Sequence, residues 1–267
     1  MTMPGTSDNW RPWAAERARE VKVALAFLTR LPFTRIEPAG TPPDAAQPTL
    51  AQASWAFPLA GIAVGAIGAV VYAIAHRLGL PPWPAAALTV AATLAVTGAL
   101  HEDGLADTAD GFGGGQTREQ KLAIMRDSRI GSYGVCALLV SILLRAAALA
   151  SLAEPGAVAA ALIAAHAGAR AAMPALMFFL PPARSDGLSF TAGAPSIARV
   201  AAGAALALVV LLFGLGLVLT VAAAMMVAVA AALMAGLSER QIGGQTGDVL
   251  GATEQVCEIV MLLVALH

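Results

Sequence analysis

Apolar residues fall in long runs separated by short polar islands. Runs near 57–75, 84–100, 131–152, 156–180, 197–219, 220–236 and 249–266 are mostly long enough to cross a hydrocarbon core of ~30 Å as helices. Several are rich in alanine rather than leucine, so each inserts marginally alone and must lean on its neighbours. Gly61-Ile-Ala-Val-Gly65 and Gly247-Asp-Val-Leu-Gly251 place small residues four apart, which lets helix backbones approach closely. The pattern predicts an all-α, polytopic integral membrane bundle of about seven transmembrane helices, with six to eight open. Ahead of it, residues 14–31 read as an amphipathic helix, basic on one side with Val21, Ala24, Leu25 and Leu28 on the other. Such a helix lies on the membrane surface or re-enters it shallowly. Residues 1–13 are expected to be a disordered tail, and Pro32 with the Pro/Gly/Thr-rich stretch 37–49 a linker. The rest, 14–267, reads as a single membrane-embedded catalytic domain.

Composition agrees. Charged residues make up 12% and hydrophobic ones 58%, against about 25% charged in soluble domains. A net charge of −1 without a basic stripe gives no sign of a nucleic-acid partner. Cys136 and Cys257 both sit in apolar helices, so neither a disulfide framework nor a thiolate metal site is indicated. No small-residue cleavage site follows a compact apolar core, so the basic N-terminus is not read as a signal peptide. With that N-terminus in the cytoplasm and seven spans, 13 of the 16 Lys and Arg fall on the cytoplasmic side. Every polar motif then lands on one membrane face.

The first motif is His101-Glu-Asp-Gly-Leu-Ala-Asp-Thr-Ala-Asp-Gly111. Asp103, Asp107 and Asp110 are spaced i, i+4, i+7, so on a helix they share a face within about 60° of arc. Like charges stacked so closely repel, and a neighbouring membrane makes that worse. A hard divalent ion such as Mg²⁺, taking oxygen ligands shared with substrate phosphates, relieves the repulsion. The plain alternative is a solvated acidic helix end. Gly111-Phe-Gly-Gly-Gly115 follows, where Gly113 and Gly114 permit a close backbone approach to a ligand or simply a flexible loop. Lys121, Arg126 and Arg129 with Asp127 come next. Two guanidinium forks beside carboxylates suit diphosphate chemistry, with Asp127 either a further metal ligand or an arginine orienter. The second island, Gly243-Gly-Gln-Thr-Gly-Asp-Val-Leu-Gly-Ala-Thr-Glu254, opens the last span. It offers Thr246, Asp248 and Glu254 to the same site, though Asp248 also fits a simple N-cap. Within the spans, Arg145, His166 and Arg170 need partners. Arg170 is placed to snorkel toward a phosphate or an Asp, while a structural pairing is expected for Arg145.

These motifs, with Phe27-Leu-Thr-Arg-Leu-Pro32, Phe57-Pro-Leu-Ala-Gly61 and Ile124-Met-Arg-Asp-Ser-Arg-Ile-Gly131, resemble in kind and order the cobalamin synthase, or adenosylcobinamide-GDP ribazoletransferase, family. The resemblance implies a multi-pass enzyme of the bacterial inner membrane with its site facing the cytoplasm. It would join adenosylcobinamide-GDP to α-ribazole, or its 5′-phosphate, with release of GMP and a need for Mg²⁺. Two departures stand out: Glu102 precedes the first motif Asp where an apolar residue is common, and Ala169 replaces a serine before Arg170. In this reading Asp103, Asp107 and Asp110 hold Mg²⁺, Arg126 and Arg129 steady the leaving phosphate, and Asp110 or Asp248 accepts the hydroxyl proton. Gly113, Gly114, Lys121, Arg170, Thr246 and Glu254 contact substrate. A CDP-alcohol-type phosphotransferase and a cation transporter are the competing readings, and homo-oligomers are open.

Overall fold

A computed structural model describes residues 10–32 and 46–267, and all its regular elements are helices. The expected tail, over residues 1–9, and most of the linker, over 33–45, lie outside the described residues. Helix α1 covers Trp10–Leu28 and so begins inside the stretch expected to be disordered. After α2 (Leu50–Ala53), closed by a reciprocal Thr49–Gln52 capping box, a short 3₁₀ turn leads into α3 (Phe57–Arg77). There follow α4 (Pro82–Thr97), α5 (Leu100–Gly114), α6 (Arg118–Ile124), α7 (Ser132–Leu152) and α8 (Pro155–Phe179). The chain ends with α9 (Leu188–Ala192), α10 (Ile197–Ile242) and α11 (Gly247–Val264).

Helix α8 is the central post, with most of its residues buried. The glycine pair of α3 is what seats it. A β-carbon at Gly61 would fall 2.2 Å from the His166 carbonyl oxygen, and one at Gly65 2.7 Å from the Ile163 Cα. Backbone contact this close is the packing that small residues make possible between membrane helices.

Helices α3, α7, α8 and α10 are long and apolar enough to cross a membrane, and α4 with α5 makes a fifth candidate if the bent pair counts once. The expected helix over 84–100 is α4, which ends three residues early. Gly98 (φ +66°) and Ala99 (φ +56°) take left-handed conformations, ending α4, and the chain turns through 91° into α5. Residues 101–114 accordingly form the helix that the Asp spacing suggests, laid against the bundle. Glu102, near the start of α5, reaches Arg145 deep in α7, whereas Asp110, near its end, reaches Gly131 and Gly134 where α7 begins. The acidic helix runs antiparallel to α7 against the bundle.

Helix α10 is too long for one crossing. Its 46 residues would extend about 69 Å if straight. It folds back instead at Gly216, the one non-helical residue inside it (φ +75°, ψ 173°). Gly214 lies against the Ala160 carbonyl near the start of α8. The two ends of α10 lie at the other end of the bundle: Arg199 bonds Glu20 and Gln52, and the Ile242 carbonyl accepts from Arg118. The break expected between 219 and 220 thus occurs four residues earlier. The seventh expected crossing, α11, carries Asp248, Glu254 and Glu258 and is not among the helices apolar enough to cross; Glu254 and Glu258 are buried inside the bundle.

The apolar face of α1 packs on protein. Ala24 and Leu28 are buried in one cluster with Phe57 and Ala60. Beside them Glu20 is fully buried, taking a bond from Trp55 Nε1 at 2.6 Å and ion pairs from Arg17 and Arg199 at 2.8 Å each. A carboxylate removed from water costs several kcal/mol unless matched in this way, so the cluster fastens α1 to the 3₁₀ turn before α3 and to α10.

Candidate active site

Helices α5 and α11 touch at Gly104, where a β-carbon would stand 2.7 Å from the Asp248 carbonyl oxygen and 3.0 Å from its Cα. That approach brings Asp103 and Asp107, on one face of α5, beside Asp248 at the start of α11. Asp107 lies within electrostatic reach of Asp103, Asp248 and Asp110. Thr246, not Asp248, caps α11: its hydroxyl accepts from Val249 N–H at 3.3 Å and donates to Asp248 Oδ2 at 3.2 Å. Asp248 is left half-buried and directed at the cleft.

The loop after α8 closes the site. Ala183 N–H donates to the Gln245 carbonyl and Gln245 N–H to the Pro181 carbonyl, both at 2.8 Å. This staple carries Arg184 over the cleft, where it donates to the Leu122 carbonyl at 2.9 Å and stands 4.0 Å from Asp248. Partial burial pushes the Arg184 guanidinium below its ordinary value, opposed chiefly by Asp248. It remains a cation at neutral pH. The resulting cleft holds about 180 Å³, with Phe57, Leu100, Met173 and Met177 as an apolar floor and Asp103, Arg184 and Asp248 among its polar lining. That is below the ~300–1,000 Å³ of a pocket for a whole small molecule, so it suits the reacting part of a larger ligand.

Several expected site residues are engaged elsewhere. Asp110 turns away from Asp103 and Asp107: Gly131 N–H donates to its Oδ2 at 2.7 Å and Gly134 N–H to its Oδ1 at 2.9 Å. It serves as a tertiary cap for α7, whose own N-cap is the side-chain-less Gly131. Asp127 is held by its near neighbour Arg129, which donates to both carboxylate oxygens at 2.6–3.1 Å. Those bonds bring the Asp127 carboxyl down to about 2, and the pair sits in solvent, so Asp127 is Arg129's partner. Arg126 pairs with Asp186, and Lys121 donates to Gln241 on α10. Gly113 abuts the Tyr133 ring and Gly114 lies near Ile124, both outside the cleft.

Arg170 and Glu254 do not line the cleft either. Both are buried, 2.6 Å apart, in a network joining α5, α7, α8 and α11. Arg145 pairs with Glu102 at 2.8 Å and Glu258 at 3.5 Å, the structural role expected for it. His166 Nδ1 lies 3.2 Å from Glu258, and His101 Nδ1 3.4 Å from Glu254. Gln255 donates to Glu254 at 3.0 Å and accepts from Ser141 at 2.9 Å. Snorkelling failed as a guide because Glu254, one helix away, satisfies Arg170 without any need to reach the interface.

Among the described residues, the one trio of potential ligand atoms within 4.8 Å of one another is His166, Glu254 and Glu258. Arg145 and Arg170 already neutralise that trio, and a metal there would sit against two guanidinium groups. Neither Asp103, Asp107 and Asp110 nor Asp103, Asp107 and Asp248 are drawn together as tightly as that trio, and Asp110 is committed to α7. Asp103, Asp107 and Asp248 remain, an all-oxygen set matched by a single arginine. Such a set suits a hard cation that takes one or two carboxylates and completes its shell with water and phosphate.

Sequence reasoning missed Arg184 and Asp186, lone charges in a polar loop with no tell-tale spacing. It also missed the bonding of His101 and Glu258. For Glu258 a signal existed: it follows Glu254 at i+4, as Arg170 follows His166.

Residues 20–266 match the family model described as cobalamin-5-phosphate synthase. The chain is 54% identical over 246 residues to a protein of Bradyrhizobium diazoefficiens named adenosylcobinamide-GDP ribazoletransferase, covering 92% of each. Proteins of the same name from Mesorhizobium japonicum (50%, 92% of each chain) and Ralstonia nicotianae (40%, 94% of this chain and 96% of the relative) are also similar. No solved structure matches.

Proposed function

Because the chain belongs to the cobalamin-5-phosphate synthase family, we propose that it is a membrane-bound adenosylcobinamide-GDP ribazoletransferase. It joins adenosylcobinamide-GDP to α-ribazole, or its 5′-phosphate, and releases GMP. Family membership sets aside the CDP-alcohol phosphotransferase and cation-transporter readings. The observation that carries the proposal is the meeting of Asp103 with Asp248 and Arg184 in a cleft floored by apolar side chains, with Asp107 within electrostatic reach of all three.

A hydroxyl of the ribazole attacks the cobinamide-side phosphorus of the diphosphate. A new P–O bond forms, the anhydride bond to the GMP phosphate breaks, and the hydroxyl proton passes to a carboxylate. Catalysis of this kind rests on positioning and charge neutralisation more than on covalent chemistry. Asp103 and Asp107 would hold Mg²⁺, which when bound would offset charge on the diphosphate oxygens. Arg184 stands where negative charge builds on the departing phosphate. Asp248, oriented by Thr246, is the carboxylate free to take the proton, since both oxygens of Asp110 accept backbone N–H groups. The apolar floor keeps water from competing with the ribazole hydroxyl.

The basic N-terminal helix and the arginines around the cleft support a cytoplasmic-membrane location with the site facing the cytoplasm. The test is purified full-length protein in detergent with adenosylcobinamide-GDP, α-ribazole and Mg²⁺, assayed for GMP. Release of GMP that depends on the ribazole supports the proposal. No release, or equal use of a CDP-activated alcohol, defeats it.

A further inference from the structure

Next to the cleft a second, wider groove of about 640 Å³ opens between α6 and the loop after α8. The two hollows share Arg184 and Asp186, so they are neighbours. The groove's volume falls in the ~300–1,000 Å³ range of ligand pockets, and its character differs from the cleft's. Its charges are mostly cationic, and Phe190 on α9, a residue 52% exposed, is part of its lining. Arg118 is its frame: it donates to the Ile242 carbonyl at 2.7 Å and the Ala183 carbonyl at 2.6 Å, fixing the loop in place. Arg126 and Asp186 are its loose members. They are paired, but their side chains are 52% and 61% exposed, and an ion pair in water is held by little. A ligand that offers the carboxylate a pair of donors and the guanidinium an anion can exchange them cheaply.

We propose that this groove seats the guanosine 5′-phosphate half of the donor substrate. Asp186 accepts from the guanine base edge, Phe190 stacks on the base, and Arg126 and Arg184 take the phosphates leading into the cleft. The chemistry selects guanine: its ring N–H and exocyclic amine form a two-donor edge that one carboxylate accepts in bidentate fashion. Adenine offers no such edge. An exposed aromatic ring is a stacking platform for a base, and forked guanidinium groups are suited to phosphate oxygens. This assignment rests on the transferase reading above and adds the recognition of the nucleotide, for which Asp186, Phe190 and Arg184 gave no sequence signal.

The test uses the full-length enzyme in detergent and measures inhibition of turnover by GMP, by inosine monophosphate, which lacks the exocyclic amine, and by inorganic phosphate. Wild-type enzyme is expected to be inhibited by GMP competitively with the GDP-linked substrate, more tightly than by inosine monophosphate, with phosphate far weaker. Asp186→Ala should weaken GMP about tenfold and erase its advantage over inosine monophosphate. Phe190→Ala should weaken both nucleotides alike, by about tenfold from lost stacking. In both variants the KM for α-ribazole should stay within about twofold, as a groove confined to the nucleotide requires. GMP inhibition unchanged in both variants, or phosphate as good an inhibitor as GMP, overturns the groove assignment while leaving the transferase reading intact. A wild-type enzyme that releases no GMP sinks both.

Discussion

Replacing Asp110 by Asn separates a structural carboxylate from a metal ligand. In the native protein both oxygens accept backbone N–H groups at the start of α7, at 2.7 and 2.9 Å. An asparagine keeps one acceptor and aims an amide donor at the other N–H, and the negative charge at the helix N-terminus is lost. A hydrogen bond to a charged group contributes about 1.5–3 kcal/mol, and a carboxylate at a helix N-terminus about 0.3–1 kcal/mol. The buried position (8% exposed) leaves little water to compensate, so Asp110→Asn should destabilise the protein by about 2–4 kcal/mol. Unfolding in detergent, followed by helical signal, should show the lowered midpoint. The Mg²⁺ concentration for half-maximal GMP release should stay within about twofold of wild type, because Asp110 does not face the cleft. Unchanged stability with a tenfold higher Mg²⁺ requirement would refute this, and would return Asp110 to the metal.

Gly104→Ala places a methyl 2.7 Å from the Asp248 carbonyl oxygen, so α5 must shift away from α11; turnover should drop at least tenfold, whereas Gly236→Ala, with nothing within 4 Å, should retain it. Arg145→Met strands the buried carboxylates of Glu102 and Glu258 and should cost about 3–5 kcal/mol in unfolding experiments, with Glu102→Gln in the same chain recovering part of the loss. Gly216→Ala puts a β-carbon at φ +75°, ψ 173°, a region essentially reserved for glycine; the yield of folded protein from membranes should fall, and an unchanged yield would argue against the hairpin.

Much of the fold was legible because apolar run length is a strong signal. The helices over 57–75, 131–152 and 156–180 appear almost as read, and the glycines at 61 and 65 make the close contact their spacing suggests. Less legible were features set by tertiary partners. The Gly98–Ala99 turn lies inside an unbroken apolar-to-acidic transition, so the sharp bend that lays α5 against the bundle left no mark in the pattern. Helical spacing placed Asp103, Asp107 and Asp110 on one face, and they do lie on one helix. Spacing alone could not show that α7 begins with a glycine and borrows Asp110 as its cap. Arg170 and Glu254 were drawn toward the site by their rarity in apolar sequence. They found one another instead, since two opposite charges on facing helices satisfy the cost of burial locally. Arg184 and Asp186 reach the cleft only through the staple between 181–183 and 245, a pairing of segments over sixty residues apart.

Binding of Mn²⁺ in place of Mg²⁺, followed by electron paramagnetic resonance in the presence of GDP, tests the proposed centre most directly. Occupancy should be lost in Asp103→Asn and in Asp107→Asn, and retained in Asp110→Asn and in Glu258→Gln. Retention in Asp107→Asn together with loss in Glu258→Gln would move the ion to the buried His166–Glu254–Glu258 trio and contradict the account.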